Sequence, residues 1–192
     1  MSEVTHAHTP LRCMEIAPEG ARAAGTVVYL HGQGATLEDL VGVVDDLQLA
    51  GARHLLLDGP VEQALGEHYR GRGWYSRAED GAISGLDEAV TQVVATLEAL
   101  AVDPGHTVLV GFSQGGATAL AAALALPQAP AGLGILAGFV PNQGMLAAHR
   151  QRVAELYALL CHGTHDDVVP VEDGLAALNM LAGLGARARL VA

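Results

Sequence analysis

The sequence contains no lysine. Its ten basic residues are all arginine, set against 21 acidic ones, for a formal net charge of −11. Without an amine side chain there is no Schiff-base chemistry and no P-loop, since both need a lysine at a defined place. The negative balance, with no basic cluster to offset it, opposes nucleic acid and anionic membrane as partners. Cysteine is nearly absent too: Cys13 and Cys161 stand alone in apolar runs, which excludes a disulfide framework. Residues 1–10 lack the basic and apolar regions of a signal peptide, so the cytoplasm is the expected compartment. No charge occurs from residue 104 to 149. The most apolar part of that stretch, 117–126, is shorter than the ~20 residues a spanning helix needs, so no membrane span is expected.

What is present is a chain of 192 residues, 51% of them hydrophobic, enough for one domain with a sizeable core and too few for two ordinary ones. Short apolar runs at 26–30, 54–57, 107–110, 134–136 and 157–161 read as buried strands, with 188–191 as a last strand and 11–16 as a first one near an edge. Between them run stripes of helical period: Leu37, Leu40, Val44 and Leu47; Leu86, Ala89, Val93 and Leu97; Leu175, Leu178 and Leu181. Ser84 with Asp87 resembles a capping box, and 117–126 is apolar enough to be buried on most sides. The alternation predicts βαβ units, a mostly parallel sheet flanked by helices and one domain over 1–192. One segment, 58–85, is long, polar and Gly-rich, and it carries the only tryptophan, Trp74. Long connections without regular structure are usually functional or disordered; the tryptophan favours an ordered one.

Three motifs each follow a predicted strand. Gly111-Phe112-Ser113-Gln114-Gly115-Gly116 lies between a strand and a helix, where G-x-S-x-G forms a nucleophile elbow with an exposed Ser113 hydroxyl. The glycines let neighbouring backbone pass closely, and the helix N-terminus favours negative charge. His31-Gly32-Gln33-Gly34 follows another strand and resembles the oxyanion-hole turn of esterases and lipases. The backbone N–H groups of Gln33 and Gln114 are the natural donor pair for a tetrahedral oxyanion, and His31 is expected to hold the turn rather than act as a base. His162-Gly163-Thr164-His165-Asp166-Asp167 comes third, placing a carboxylate downstream of the serine at a strand end.

Together these motifs, in this order and spacing, resemble the phospholipase/carboxylesterase family that includes acyl-protein thioesterases, within the α/β-hydrolase superfamily. The resemblance covers nearly the whole chain. It implies an α/β-hydrolase fold, Asp166 as the triad acid, and a substrate that is a small-molecule ester or thioester of short to medium acyl chain. It also implies substrate-lining roles for Gly32, Gly34 and the Trp74 segment, with no metal and no cofactor. A homodimer is compatible with this reading.

The resemblance also implies a triad histidine after the last strand, followed by a closing helix that covers part of the sheet. Residue 192 comes before either, so the base is expected beyond Ala192 and the C-terminal histidine loop and helix are missing from the expected fold. His162 and His165 lie too close to the acid in sequence to bridge it to Ser113. His6 and His8 are expected in a mobile tail, while His54, His68, His106 and His149 have no motif around them. The alternative is a base-less, catalytically inactive protein of the same fold that binds esters. A zinc hydrolase built on the 162–167 cluster lacks the H-E-x-x-H spacing. A dinucleotide site at Gly132–Ala137 has its glycines within a strand, not after one.

Overall fold

In the computed structural model of the protein, residues 2–192 are described except 7, 21, 50, 65–69 and 79–80. The chain begins with β1 (Ser2–His6), β2 (Cys13–Ala17), β3 (Thr26–Leu30) and, after the short helix α1 (Val41–Leu47), β4 (Arg53–Leu57). Among the described residues of 58–85 are two small ribbons, β5 (Val61–Ala64) with β6 (Arg70–Gly73) and β7 (Ser76–Arg77) with β8 (Ile83–Ser84). Then follow α2 (Leu86–Ala99), β9 (Thr107–Phe112), α3 (Gln114–Ala125), β10 (Gly132–Leu136), α4 (Gln143–Ala148), α5 (Arg150–Ala154), β11 (Tyr157–Cys161), α6 (Val171–Gly183) and β12 (Arg187–Val191).

One eight-stranded sheet runs in the order β1-β2-β4-β3-β9-β10-β11-β12. Its first two strands are antiparallel to their neighbours and the rest pair in parallel. The register aligns Leu57, Leu30 and Gly111 across β4, β3 and β9, and Leu136, Cys161 and Val191 across β10, β11 and β12. The carboxyl ends of the parallel strands therefore share one edge of the sheet. From β3 the chain crosses to β4 on one side and later to β9 on the other. That reversal opens a crevice at the carboxyl ends, where open α/β sheets bind ligands. The two turns leaving β3 and β9 flank it.

Alternate strand residues face two different environments. Leu109, Leu133, Ile135 and Leu160 are buried against α2, α3 and α6 in the larger core cluster. Met14, Ile16, Val27, Tyr29 and Leu56 form a second cluster with Leu37, Leu40 and Val44 of the α1 region. That second layer stops short. Beyond it Tyr157 and Leu159 are 48% and 45% exposed, and an open apolar groove of about 620 Å³ runs along Val108, Val110, Gly134, Leu136 and Leu159. Strands read as fully buried are thus covered on one face only over β9–β11. α3 meets the expectation for 117–126, since every residue from Gln114 to Leu124 is buried.

Two local expectations are corrected. Ser84 does not cap α2: it ends β8, and Gly85 takes the N-cap position with φ +88° and no side chain to bond. The N-terminal tail is ordered at β1, where pairing with β2 brings His6 Nε2 to 2.8 Å from the Glu15 carboxylate. No helix among the described residues is long and apolar enough to cross a membrane.

Candidate active site

β9 ends at Phe112, and Ser113 turns the chain with φ 51° and ψ −116°. An L residue held there costs about 1–3 kcal/mol, a strain that persists only where the surroundings enforce it. They do so from both sides. The Ser113 N–H donates to Leu136 O at 2.8 Å, and its carbonyl accepts from Gly116 and Ala117 at 3.0 and 3.2 Å as α3 begins. The flanking glycines are compulsory: a Cβ on Gly111 would stand 2.1 Å from Gly115 O, and one on Gly115 would stand 2.3 and 2.4 Å from the carbonyl oxygens of Leu30 and His31. The elbow thus lies directly against the end of β3. Ser113 remains partly exposed.

The 31–36 turn begins there. Gly34 has φ +84°, Ala35 N–H donates to Gly32 O at 3.2 Å, and Gln33 is exposed between two buried glycines. His31 is buried beneath it. Its Nδ1–H donates to Gly32 O at 2.7 Å and its Nε2 accepts the Gly59 N–H at 3.0 Å, so both ring nitrogens are committed to the backbone. Burial pushes the imidazole pKa down, and His31 is held neutral. Asp58, at the end of β4, accepts from Leu37 N–H and from Arg12 Nη1, both at 2.8 Å, and fixes the helical turn that follows. Arg12 also pairs with Glu38, whose carboxyl it holds down at about 2.

His31 carries a pH consequence. An unfolded histidine takes up a proton near pH ~6.5, whereas folded His31 resists protonation, so the unfolded state binds more protons as the pH falls. Stability is therefore lost below about pH 6.5. The urea midpoint is expected to drop between about pH 7 and pH 5.5, and His31→Asn to make that drop shallower. A slope unchanged by the substitution would refute the assignment.

Trp74 is fully buried. Its indole Nε1–H donates to His31 O at 2.8 Å, and its backbone N–H donates to Gln114 Oε1 at 2.8 Å. Gln114 Nε2 in turn donates to Tyr75 O at 2.9 Å. β6 is tied to the turn by Gly34 N–H to Arg72 O at 2.7 Å and Arg72 N–H to Ala35 O at 2.9 Å. The segment expected to line an acyl site thus presents Trp74 to protein on all sides. Neither the Gln114 side chain nor Asp58 is legible from sequence as a site residue. The one signal is the polar Asp58 closing the apolar strand 54–57.

The third motif follows β11. Asp166 Oδ1 accepts the N–H groups of Val168 and Val169, each at 2.9 Å, and these donors hold the carboxyl below its usual range. His162 is buried, and its Nε2–H donates to Val169 O at 2.7 Å, leaving it 3.9 Å from the Asp166 carboxylate. Its backbone N–H donates to Val191 O at 2.9 Å, so the end of β12 lies beside this loop. His165 is exposed and contacts Thr164. His54 is bonded to Tyr29 and Leu49, His106 to Asp103 and His149 to Met145; His68 lies outside the described residues. Among the described residues no hydrogen bond joins Ser113 to a histidine.

A mostly parallel sheet of this order, helices against its faces and a strained serine turn at the strand reversal define an α/β-hydrolase. The sequence profile of the phospholipase/carboxylesterase family matches residues 11–191, and the chain belongs to that family. It is 34% identical to carboxylesterase SOBER1 of Arabidopsis thaliana over 106 residues, 53% of this chain and 46% of that protein, so the aligned segment spans about half that relative's length. The crystal structure of SOBER1 superposes with a TM-score of 0.74 at 26% identity, covering 88% of this chain and 87% of the other. Acyl-protein thioesterase 1 of Mycosarcoma maydis is 28% identical over 195 residues, 89% of this chain and 81% of that protein. A rice protein (Oryza sativa subsp. japonica) named probable inactive carboxylesterase is 26% identical over 191 residues, 90% of this chain and 77% of its own.

Proposed function

We propose that the protein is a serine hydrolase of carboxylic esters or thioesters, acting as a single domain through an acyl-enzyme on Ser113. One observation carries the reading: the strained elbow at Ser113 sits against the His31-Gly32-Gln33-Gly34 turn at the strand reversal, with Gly115 packed against Leu30 and His31. Ser113 Oγ attacks the carbonyl carbon, and its proton passes to a histidine. Asp166 orients that base and stabilises its charged form, its amide donors keeping it ionised at neutral pH. The Gln33 and Gln114 N–H groups bind the oxyanion, the alcohol or thiol leaves with the proton, and water then releases the acid. Gly32 and Gly34 let substrate approach the turn closely.

The base is assigned to chain following β12, since Val191 lies beside the Asp166 loop through its bond to His162. In the form carrying its base, a fluorophosphonate probe is expected to label Ser113, as read by peptide mass mapping. Residues 1–192 are expected to hydrolyse p-nitrophenyl esters slowly, roughly 10³–10⁴-fold over water, the residue of catalysis left without one triad member. Ordinary enzymatic rates from this chain would instead place the base within it. A second reading, an ester-binding protein without turnover, is favoured by the engagement of His31, His54 and His162 in structural bonds. Binding of p-nitrophenyl esters with no Ser113 labelling in the form that continues past β12 would establish it.

A further inference from the structure

Two amide donors serve one oxyanion only if the turns that carry them keep a fixed separation. Those turns leave the paired strands β3 and β9; the sheet and the Gly115 contact fix where they start, and a further connection is needed to hold the turns themselves. Residues 72–75 supply one. Arg72 makes two backbone bonds to the 31–36 turn, at Gly34 and Ala35. Trp74 then reaches both turns at once, with its indole N–H on His31 O and its backbone N–H on Gln114 Oε1. Gln114 completes the link by donating to Tyr75 O. Trp74 and Gln114 are 0% and 4% exposed, so no water replaces a lost partner and each broken bond leaves a buried group unpaired. The carboxamide uses its acceptor and its donor together, a combination that neither glutamate as its anion nor methionine provides.

We infer that Trp74 and the Gln114 side chain form a brace between the two turns, and that both are positioning residues for the oxyanion donors Gln33 N–H and Gln114 N–H. The inference rests on the ester-hydrolase reading and assigns Trp74 to the frame of the site instead of its acyl-binding wall. Gln114 thereby has two separate tasks. Its main chain contacts the reacting oxygen, and its side chain sets where that main chain stands.

Trp74 is the only tryptophan, so its fluorescence reports the brace directly. In the form carrying the base, Gln114→Met is expected to lower Ser113-dependent kcat on p-nitrophenyl butyrate roughly tenfold to a hundredfold, with KM changed by less than about threefold. The same variant should shift Trp74 emission to the red and raise its quenching by acrylamide while unfolding remains cooperative. Trp74→Phe, which keeps most of the ring and loses the indole N–H, should show the same split of kcat against KM. Gln114→Glu, which sets a carboxylate oxygen against Tyr75 O in a buried site, should lose at least as much as Gln114→Met. A cooperatively folded Gln114→Met protein with native kcat and native emission would overturn the brace and leave the hydrolase reading intact. Absence of Ser113-dependent turnover in the form carrying its base would instead overturn the hydrolase reading, and with it the purpose assigned to the brace.

Discussion

Gly115→Ala is expected to yield a protein that does not hold its native fold. The added methyl would sit 2.3 Å from Leu30 O and 2.4 Å from His31 O, main-chain atoms at the end of the central strand β3 and at the start of the turn that leaves it. A flexible side chain could swing away; these carbonyls cannot move without disturbing β3 or its turn. Overpacking in a core usually costs about 1–3 kcal/mol, and a clash with backbone on this scale belongs at or above the upper end. The loss is set at more than about 3 kcal/mol, a large share of the ~5–15 kcal/mol by which domains are usually stable. Urea unfolding, or failure to recover folded protein, measures it. Gly42 is the control: it lies in α1, where an added methyl would meet nothing within 4 Å, so Gly42→Ala should gain up to about 1 kcal/mol from helix propensity. Equal behaviour of the two variants would show that elbow and strand do not approach so closely.

Ser113→Ala should abolish the ester turnover that the chain supports, by at least ~10³-fold in the form carrying its base, while leaving unfolding nearly unchanged. The reason is local. The hydroxyl contributes no hydrogen bond to the fold among the described residues, so its removal takes away the nucleophile and little else. Ser113→Gly extends the test, because glycine adopts φ 51° without strain. It should be equally inactive yet more stable than native by about 1 kcal/mol, the signature of a residue whose conformation is kept at a cost in stability. Retained activity in Ser113→Ala would exclude this nucleophile. Unchanged stability in Ser113→Gly would show that the turn relaxes around the serine.

The parts of the site legible in the sequence are those where local geometry demands a residue type. Gly111 and Gly115 are readable because no side chain fits there, and His31 because it opens a glycine turn directly after an apolar strand, although its Nε2 partner, Gly59, lies 28 residues away. Gln114 is readable as a main-chain donor, since it follows the serine, but its side chain bonds to residues 40 and 39 positions earlier. A link of that kind leaves no periodic or local signal. β1 is illegible for a related reason. Four of its five residues are exposed, so no apolar alternation marks it, and it exists through pairing with β2. The strands of the sheet centre stand out by their unbroken apolar runs, which indicate burial on both faces. Composition does not tell one covered face from two, and here the second layer ends near α1.

That unequal cover divides the strands along their length. In β10, Leu133 and Ile135 are locked among helices while Gly132, Gly134 and Leu136 border open space. In β11, Ala158 and Leu160 turn inward while Tyr157 and Leu159 turn out. Neighbouring positions on one strand thus belong to different materials, a close-packed solid and a wetted wall. Random substitution would meet a strict judge at the inward positions, every second residue of each strand, a rhythm imposed by the helices packed against that face.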